Sequence, residues 1–154
     1  MSLHDLIDNS AIIPSLRAST KKQALQEISE RASAISGLSA REIFDALLQR
    51  ERLGSTGVGG GIAIPHGKMP RITQMKGVFA RLEKPIDYEA LDGEPVDLIF
   101  LLLAPESAGA DHLKALSRVA RALRDSTLTA RLRATKDASG LYLLLTQNPT
   151  HNAA

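Results

Sequence analysis

Val96-Asp97-Leu98-Ile99-Phe100-Leu101-Leu102-Leu103 is the stretch whose reading decides how this chain folds. All of it except Asp97 is apolar, and no period of two runs through it. A strand of that kind is covered on both faces, in the middle of a sheet with helices on either side. Pro105 halts it, because proline cannot donate to a strand ladder.

Outward on the N-terminal side, Met75 to Leu82 and Gly61 to Ile64 read as further strands. Two helices are predicted before them. Ser19 or Thr20 can cap the first, which runs to about Ile35 with Leu25, Ile28, Ala32 and Ile35 on one apolar face. Gly37 ends it. Ser39 opens the second, with Glu42 three residues later in capping-box position. Ile43, Leu47 and Leu48 give it a buried stripe as far as Gly54. So short a joint makes the two helices an antiparallel pair. Leu3 to Ile7 read as a short helix and Ala11-Ile12-Ile13 as a first strand.

On the C-terminal side, Glu106 to Ala110 read as a loop and Asp111 as the cap of a helix with Leu113, Leu116, Ala120 and Leu123 turned inward. A short helix around Leu128 to Leu132 and a last one around Ala138 to Leu145 follow. Asn148 to Ala154, with His151, read as a disordered tail. The fold class is α/β: a single-domain sandwich with a mixed β-sheet flanked by helices, without a regular βαβ succession. The domain is assigned to residues 1–147.

A chain of 154 residues is one domain of ordinary size. Apolar residues make up 44% of it but aromatics only 3%, so the core is aliphatic and little material remains for base-stacking platforms. The absence of cysteine excludes disulfides, thiol catalysis and cysteine-ligated metals. Met1-Ser2-Leu3-His4-Asp5 lacks the features of a signal peptide, and Ile99 to Pro105 is too short to span a bilayer, so a cytoplasmic protein without membrane insertion is expected. Net charge is only +2, despite a pI near 9.1. Lys114, Arg118, Arg121 and Arg124 form a basic stripe, with Arg131 and Arg133 nearby. Such a stripe can contact nucleic acid phosphates, but it reads better as a solvated helix face whose arginine stems cover apolar surface.

The chemistry concentrates in Gly57-Val58-Gly59-Gly60-Gly61-Ile62-Ala63-Ile64-Pro65-His66-Gly67-Lys68. Six of the eleven glycines lie between Gly54 and Gly67, and His66 stands between a proline and a glycine. Fixing so many glycines costs backbone entropy, which suggests that the segment positions something. His112, in the first turn of a helix, lies where the dipole favours an anion. Should the sheet bring the two loops together, two imidazoles face one cavity. Taken alone, His112 reads equally as a first-turn surface residue.

Several chemistries fail on spacing. Ile62-Ala63-Ile64 is strand-like where a dinucleotide or P-loop needs a helix to open. No HExxH or H-x-x-x-H set supplies convergent metal ligands, and no G-x-S-x-G elbow exists for a serine hydrolase. Neither a metal nor a cofactor is expected. A histidine that accepts a phosphoryl group fits better, since neutral imidazole is a nucleophile near pH 7. Backbone N–H groups of Gly59, Gly60, Gly61 and Gly67 could form an anion nest, with Ser55, Thr56, Arg50 or Arg52 adding donors. Only one or two of those side chains can serve, and Arg52 reads better as a solvated helix end.

The segment from Arg50-Glu51-Arg52-Leu53-Gly54-Ser55-Thr56-Gly57 through Pro65-His66-Gly67-Lys68 closely resembles the active-site segment of the nitrogen-regulatory IIA family of the bacterial phosphotransferase system, which belongs with the mannitol and fructose IIA domains. The likeness extends to Pro95-Val96-Asp97-Leu98-Ile99-Phe100 and His112-Leu113-Lys114-Ala115-Leu116-Ser117. The resemblance implies a mixed sheet flanked by helices. It implies that His66 accepts a phosphoryl group, through Nε2, from a histidine phosphocarrier protein itself charged from phosphoenolpyruvate by enzyme I. His112 would hydrogen-bond the group and Arg50 would be the arginine of the site. Members of the nitrogen type lack an attached sugar permease, so none is expected here, and act on targets such as potassium transporters and sensor kinases. Related proteins commonly have Gly-Asn-Gly where this chain has Gly59-Gly60-Gly61, so one local hydrogen bond is lost and the loop is expected to loosen. The alternative is a non-catalytic protein-binding module whose contacts ignore phosphorylation.

Overall fold

The apolar run forms β6, Val96–Pro105, and Leu98 through Ala104 are wholly buried. The structure, a computed structural model, describes residues 3–147. The tail from Asn148, with His151, lies outside the described residues. Six strands and five helices form across the rest: β1 Ile7–Leu16, α1 Lys21–Ser36, α2 Ala40–Arg52, β2 Gly57–Gly59, β3 Ile62–Ala63, β4 His66–Met69, β5 Lys76–Ile86, β6, α3 Ala110–Arg124, α4 Ser126–Ala134 and α5 Ala138–Thr146. The sheet order is β1-β5-β6-β3-β2, with β4 also on β6. β1 is parallel to β5, β5 antiparallel to β6, and β3 and β4 both run parallel to β6. This is the mixed, helix-flanked sheet expected of the sequence.

Local signals account for most element ends. Thr20, not Ser19, caps α1: its hydroxyl accepts the N–H of Gln23, whose side chain in turn takes the Ser19 N–H. Ala24, Leu25, Ile28 and Ala32 are fully buried beneath it. Each of the larger two contributes about 1.5–3 kcal/mol of apolar burial. Ser39 caps α2, but Glu42 completes no box, because its carboxylate pairs with Arg71. Asp125 and Asp137 cap α4 and α5.

Four readings need correction. Leu3 to Ile7 form no helix: they make a turn closed by Leu6 N–H on Leu3 O and lead into β1, which is far longer than Ala11 to Ile13. β2 and β4 were not foreseen, being too short to carry a period. Gly109 begins α3, so Asp111 lies in the first turn and is not the cap. The inward stripe of α3 is His112, Ala115, Val119 and Leu123, whereas Leu113 is 67% exposed. The leucines suggested a register one position away. The small Ala115 and Val119 instead let the helix lie close on the sheet, and His112 goes inward with them.

Candidate functional site

His66 opens β4, and its place is set by backbone pairing: His66 lies opposite Leu102 of β6, and Leu102 N–H bonds Pro65 O at 3.0 Å. Successive strand residues point to opposite faces. Gly67 accordingly turns to Ala46 and Leu47 of α2, while the His66 ring meets the ring of His112 on α3. The two centroids are 5.6 Å apart and the planes cross at 64°.

Both nitrogens of His66 are engaged. Nδ1–H donates to the carbonyl of Ile64 at 2.9 Å, and Arg50 Nε–H donates to Nε2 at 3.2 Å. A carbonyl only accepts and a guanidinium only donates, so the ring is the Nδ1–H tautomer with its lone pair on Nε2. Arg50 is itself held by Nη1 on Gly54 O at 2.9 Å. Burial holds the pKa of His66 below the ordinary value, opposed by the Ile64 carbonyl and helped by the Arg50 charge. Burial likewise lowers that of His112, with His66 and Lys68 adding to the effect. His112 is only 7% exposed, and its Nε2 is buried with no hydrogen-bond partner among the described residues. His112 is therefore not a first-turn surface residue.

The structure brings Arg50, His66 and His112 together, and leaves other candidates elsewhere. Ser55 Oγ donates to Tyr88 O at 3.3 Å and accepts the Gly57 N–H at 3.1 Å. Thr56 gives its hydroxyl to Glu51. Arg52 is exposed. Gly59, Gly60 and Gly61 form the turn between β2 and β3, and Gly61 O accepts from Asp97 and Leu98 at the start of β6. From there to the Leu102 level of His66 is roughly 15 Å at the rise of a strand. They therefore build a hairpin and no nest around the imidazole. A cavity of about 550 Å³ adjoins that hairpin, lined by Gly59, Gly60, Leu123, Arg124, Thr129 and Arg133 among others.

The hairpin is tied down at Gly60 by hydrogen bonds on both sides of its peptide. Gly60 N–H bonds Asp92 at 3.0 Å, and Arg133, whose Nε–H is shared by both oxygens of Asp97, donates from Nη2 to Gly60 O at 2.7 Å. Arg118 pairs with Asp5. Two cations of the proposed basic surface are thus matched within the molecule. Among the described residues no three His, Asp or Glu side chains converge on a metal position, and no helix is long and apolar enough to cross a membrane.

Sequence reasoning missed Glu51, Lys21 and Tyr88, which lie beneath the site. Glu51 accepts from Thr56 and meets Lys21 Nζ at 2.9 Å, and that ammonium also stands 4.7 Å above the Tyr88 ring. Burial, then the Glu51 charge, pushes the Tyr88 phenol far above its ordinary pKa. Asp97 carried a legible signal: a lone charge within an apolar strand needs a partner.

Fold and site together define an α/β sandwich centred on two facing imidazoles with an arginine. Residues 5–148 match the family model described as phosphoenolpyruvate-dependent sugar phosphotransferase system, EIIA 2, and the chain belongs to that family. It is 54% identical over 149 residues to a nitrogen regulatory protein of Bradyrhizobium diazoefficiens, covering 97% of each chain. It is 42% identical over 147 residues to that of Escherichia coli, covering 95% of this chain and 90% of the other. The crystal structure of nitrogen regulatory protein IIA-Ntr from Neisseria meningitidis superposes with a TM-score of 0.87 at 36% identity, over 92% of this chain and 97% of that one.

Proposed function

We propose that the chain is a regulatory phosphoryl carrier of the phosphotransferase system in which His66 accepts the group through Nε2. The carrying observation is the fixed Nδ1–H tautomer: it leaves one lone pair, on Nε2, beside a guanidinium and a second imidazole. The donor is a histidine phosphocarrier protein of the nitrogen branch. The Nε2 lone pair forms a bond to phosphorus as the bond to the donor's nitrogen breaks, and the donor imidazole leaves with that electron pair. For this Arg50 Nε–H turns from Nε2 to a phosphoryl oxygen. His66 keeps its Nδ1 proton, and the Ile64 carbonyl stabilises the cationic ring. His112 Nε2–H supplies a further donor to the group. Transfer of this kind depends on alignment and on charge stabilisation.

Leu53 is 84% exposed three residues beyond Arg50, and Leu113 is 67% exposed beside His112. Two bare leucines so close in sequence to site residues suit a face on which the donor docks. The phosphoenolpyruvate-dependent donors would place this chain in the cytoplasm. Its output is phosphorylation-dependent contact with regulatory targets in nitrogen or potassium control, as the names of its relatives suggest for nitrogen. Incubation with phosphoenolpyruvate, enzyme I and the phosphocarrier should add one phosphoryl mass, mapped to His66. No added mass on a chain whose partners are active would refute the reading.

A further inference from the structure

The carboxylate of Glu51 takes no part in the chemistry above, yet both supports of His66 meet at this residue. One support is its neighbour Arg50, whose Nε–H reaches Nε2 at 3.2 Å. The other starts at the carboxylate itself. Thr56 N–H donates to Glu51 Oε1 at 3.0 Å, Ile64 N–H donates to Thr56 O at 2.9 Å, and His66 Nδ1–H donates to Ile64 O at 2.9 Å. The path from Glu51 through Thr56, Ile64, His66 and Arg50 closes on itself.

We propose that Glu51 is the positioning residue of this site, holding His66 in the Nδ1–H tautomer so that Nε2 keeps the nucleophilic lone pair. The inference rests on phosphoryl acceptance at His66 and deepens it. Glu51 suits the part because its carboxylate cannot turn. Its side chain is only 5% exposed, Oε1 meets Lys21 Nζ at 2.9 Å, and Oε2 accepts from Thr56 Oγ1 and, at 3.4 Å, from Tyr88. An ionised carboxylate is acceptor-only and matches donors on both oxygens. Glutamine loses the charge that Lys21 meets, and its NH₂ only donates, so the Thr56 and Tyr88 hydroxyls that donate to Oε2 must both turn away. With Thr56 displaced, the Ile64 carbonyl moves with it. An imidazole without that acceptor keeps only the Arg50 Nε–H to hold the lone pair on Nε2, so one of its two tautomer supports is gone.

The test compares the parent with Glu51→Gln, reading the ¹⁵N shifts of the unphosphorylated His66 ring and single-turnover phosphorylation by the charged phosphocarrier. In the parent, neutral His66 should be a single Nδ1–H tautomer. In Glu51→Gln it should become a mixture, and the phosphorylation rate constant should fall by about tenfold, the effect of one hydrogen bond, with the half-saturating donor concentration unchanged. A parental tautomer and rate in the folded variant would overturn the proposal, whatever its melting temperature. A parent ring protonated on Nε2 would overturn it as well. Should Glu51→Gln fail to fold, Glu51→Asp, which keeps the charge but withdraws the carboxylate by one methylene from the Thr56 N–H, is read by the same two measurements and the same outcomes. Failure of the parent to take up phosphoryl would sink the carrier reading alone, because the tautomer comparison needs no phosphoryl group.

Discussion

His66 and His112 are both kept neutral by the fold, and that has consequences for acid stability. Burial is the leading cause for each, and both folded pKa values lie below the ordinary 6.5. The unfolded chain therefore binds protons more readily than the folded one. Stability from this source is fully present above pH 6.5 and is lost as the pH falls through the folded values. Urea melts of the double variant His66→Gln, His112→Gln should show a smaller loss between about pH 7.5 and about pH 5 than the parent does. An equal loss would place the acid sensitivity in other groups. Acceptance itself should fade over the same acidic range, since a protonated ring has no lone pair to offer. His66→Ala should abolish acceptance while circular dichroism and melting temperature stay near the parent's, because the half-buried ring adds little to the core. His112→Ala should slow phosphorylation of His66 by roughly ten- to hundredfold, the worth of a hydrogen bond to a charged group. Its melting temperature should fall only modestly, since the cavity left by the buried ring is offset in part by removal of a nitrogen without a partner among the described residues. Unchanged kinetics would leave that nitrogen without a role. A phosphoryl mass found on His112 would reverse the assignment of the pair.

At the scale of elements, the glycine hairpin and the imidazoles separate into two structures that one stretch of sequence had joined. Gly61 has φ 80°, and a Cβ there would lie 2.6 Å from Arg133 Nη2 and 3.0 Å from Asp97 Oδ1. Gly57 approaches Ala90 so closely that a Cβ would stand 2.8 Å from its side chain. These glycines are needed for the hairpin's own geometry, and their nearness to His66 along the chain gives no nearness in space. Arg133→Ala should cost about 1–2 kcal/mol in urea melts, because Asp97 keeps a part-buried charge with one fewer donor. His66 phosphorylation should stay within a factor of about two of the parent, as befits a site roughly 15 Å away. A large kinetic loss would instead tie the hairpin to the chemistry. Elements with a long period were legible: α1, α2, β5 and β6 were all anticipated at nearly their true positions. β2 and β4, of three and four residues, had no room to display alternation. The α3 stripe was displaced because leucines carry more hydrophobicity than the alanine and valine that fit the contact.

Across the whole molecule, the sheet assembles the site from elements far apart in sequence: the end of α2, the start of β4 and the start of α3. Arg50, His66 and His112 were singled out from local sequence, by the glycine cluster, the first turn of a helix and a helix end, and the family resemblance then gave each a role. Glu51 and Tyr88 stayed hidden, since a buried acid joined to a tyrosine 37 residues away leaves no local pattern. The same assembly leaves Leu53 exposed just beyond the Arg50 end of α2 and Leu113 exposed next to His112 on α3. Leu143, also exposed at 64%, belongs to α5, which packs along β1 at the other edge of the sheet. This contrast makes the docking face testable. An aspartate at Leu53 or Leu113 should weaken encounter with the donor while leaving the imidazole untouched. Removing a central apolar side chain from an interface typically costs about 1–2 kcal/mol, so Leu113→Asp should raise the half-saturating phosphocarrier concentration by roughly five- to thirtyfold. The rate constant at saturation should hold near the parent's, and Leu143→Asp should change neither quantity. A loss of the saturated rate in Leu113→Asp would mean that the substitution had moved His112 on its own helix. Equal effects from Leu113→Asp and Leu143→Asp would show that the donor meets no particular face.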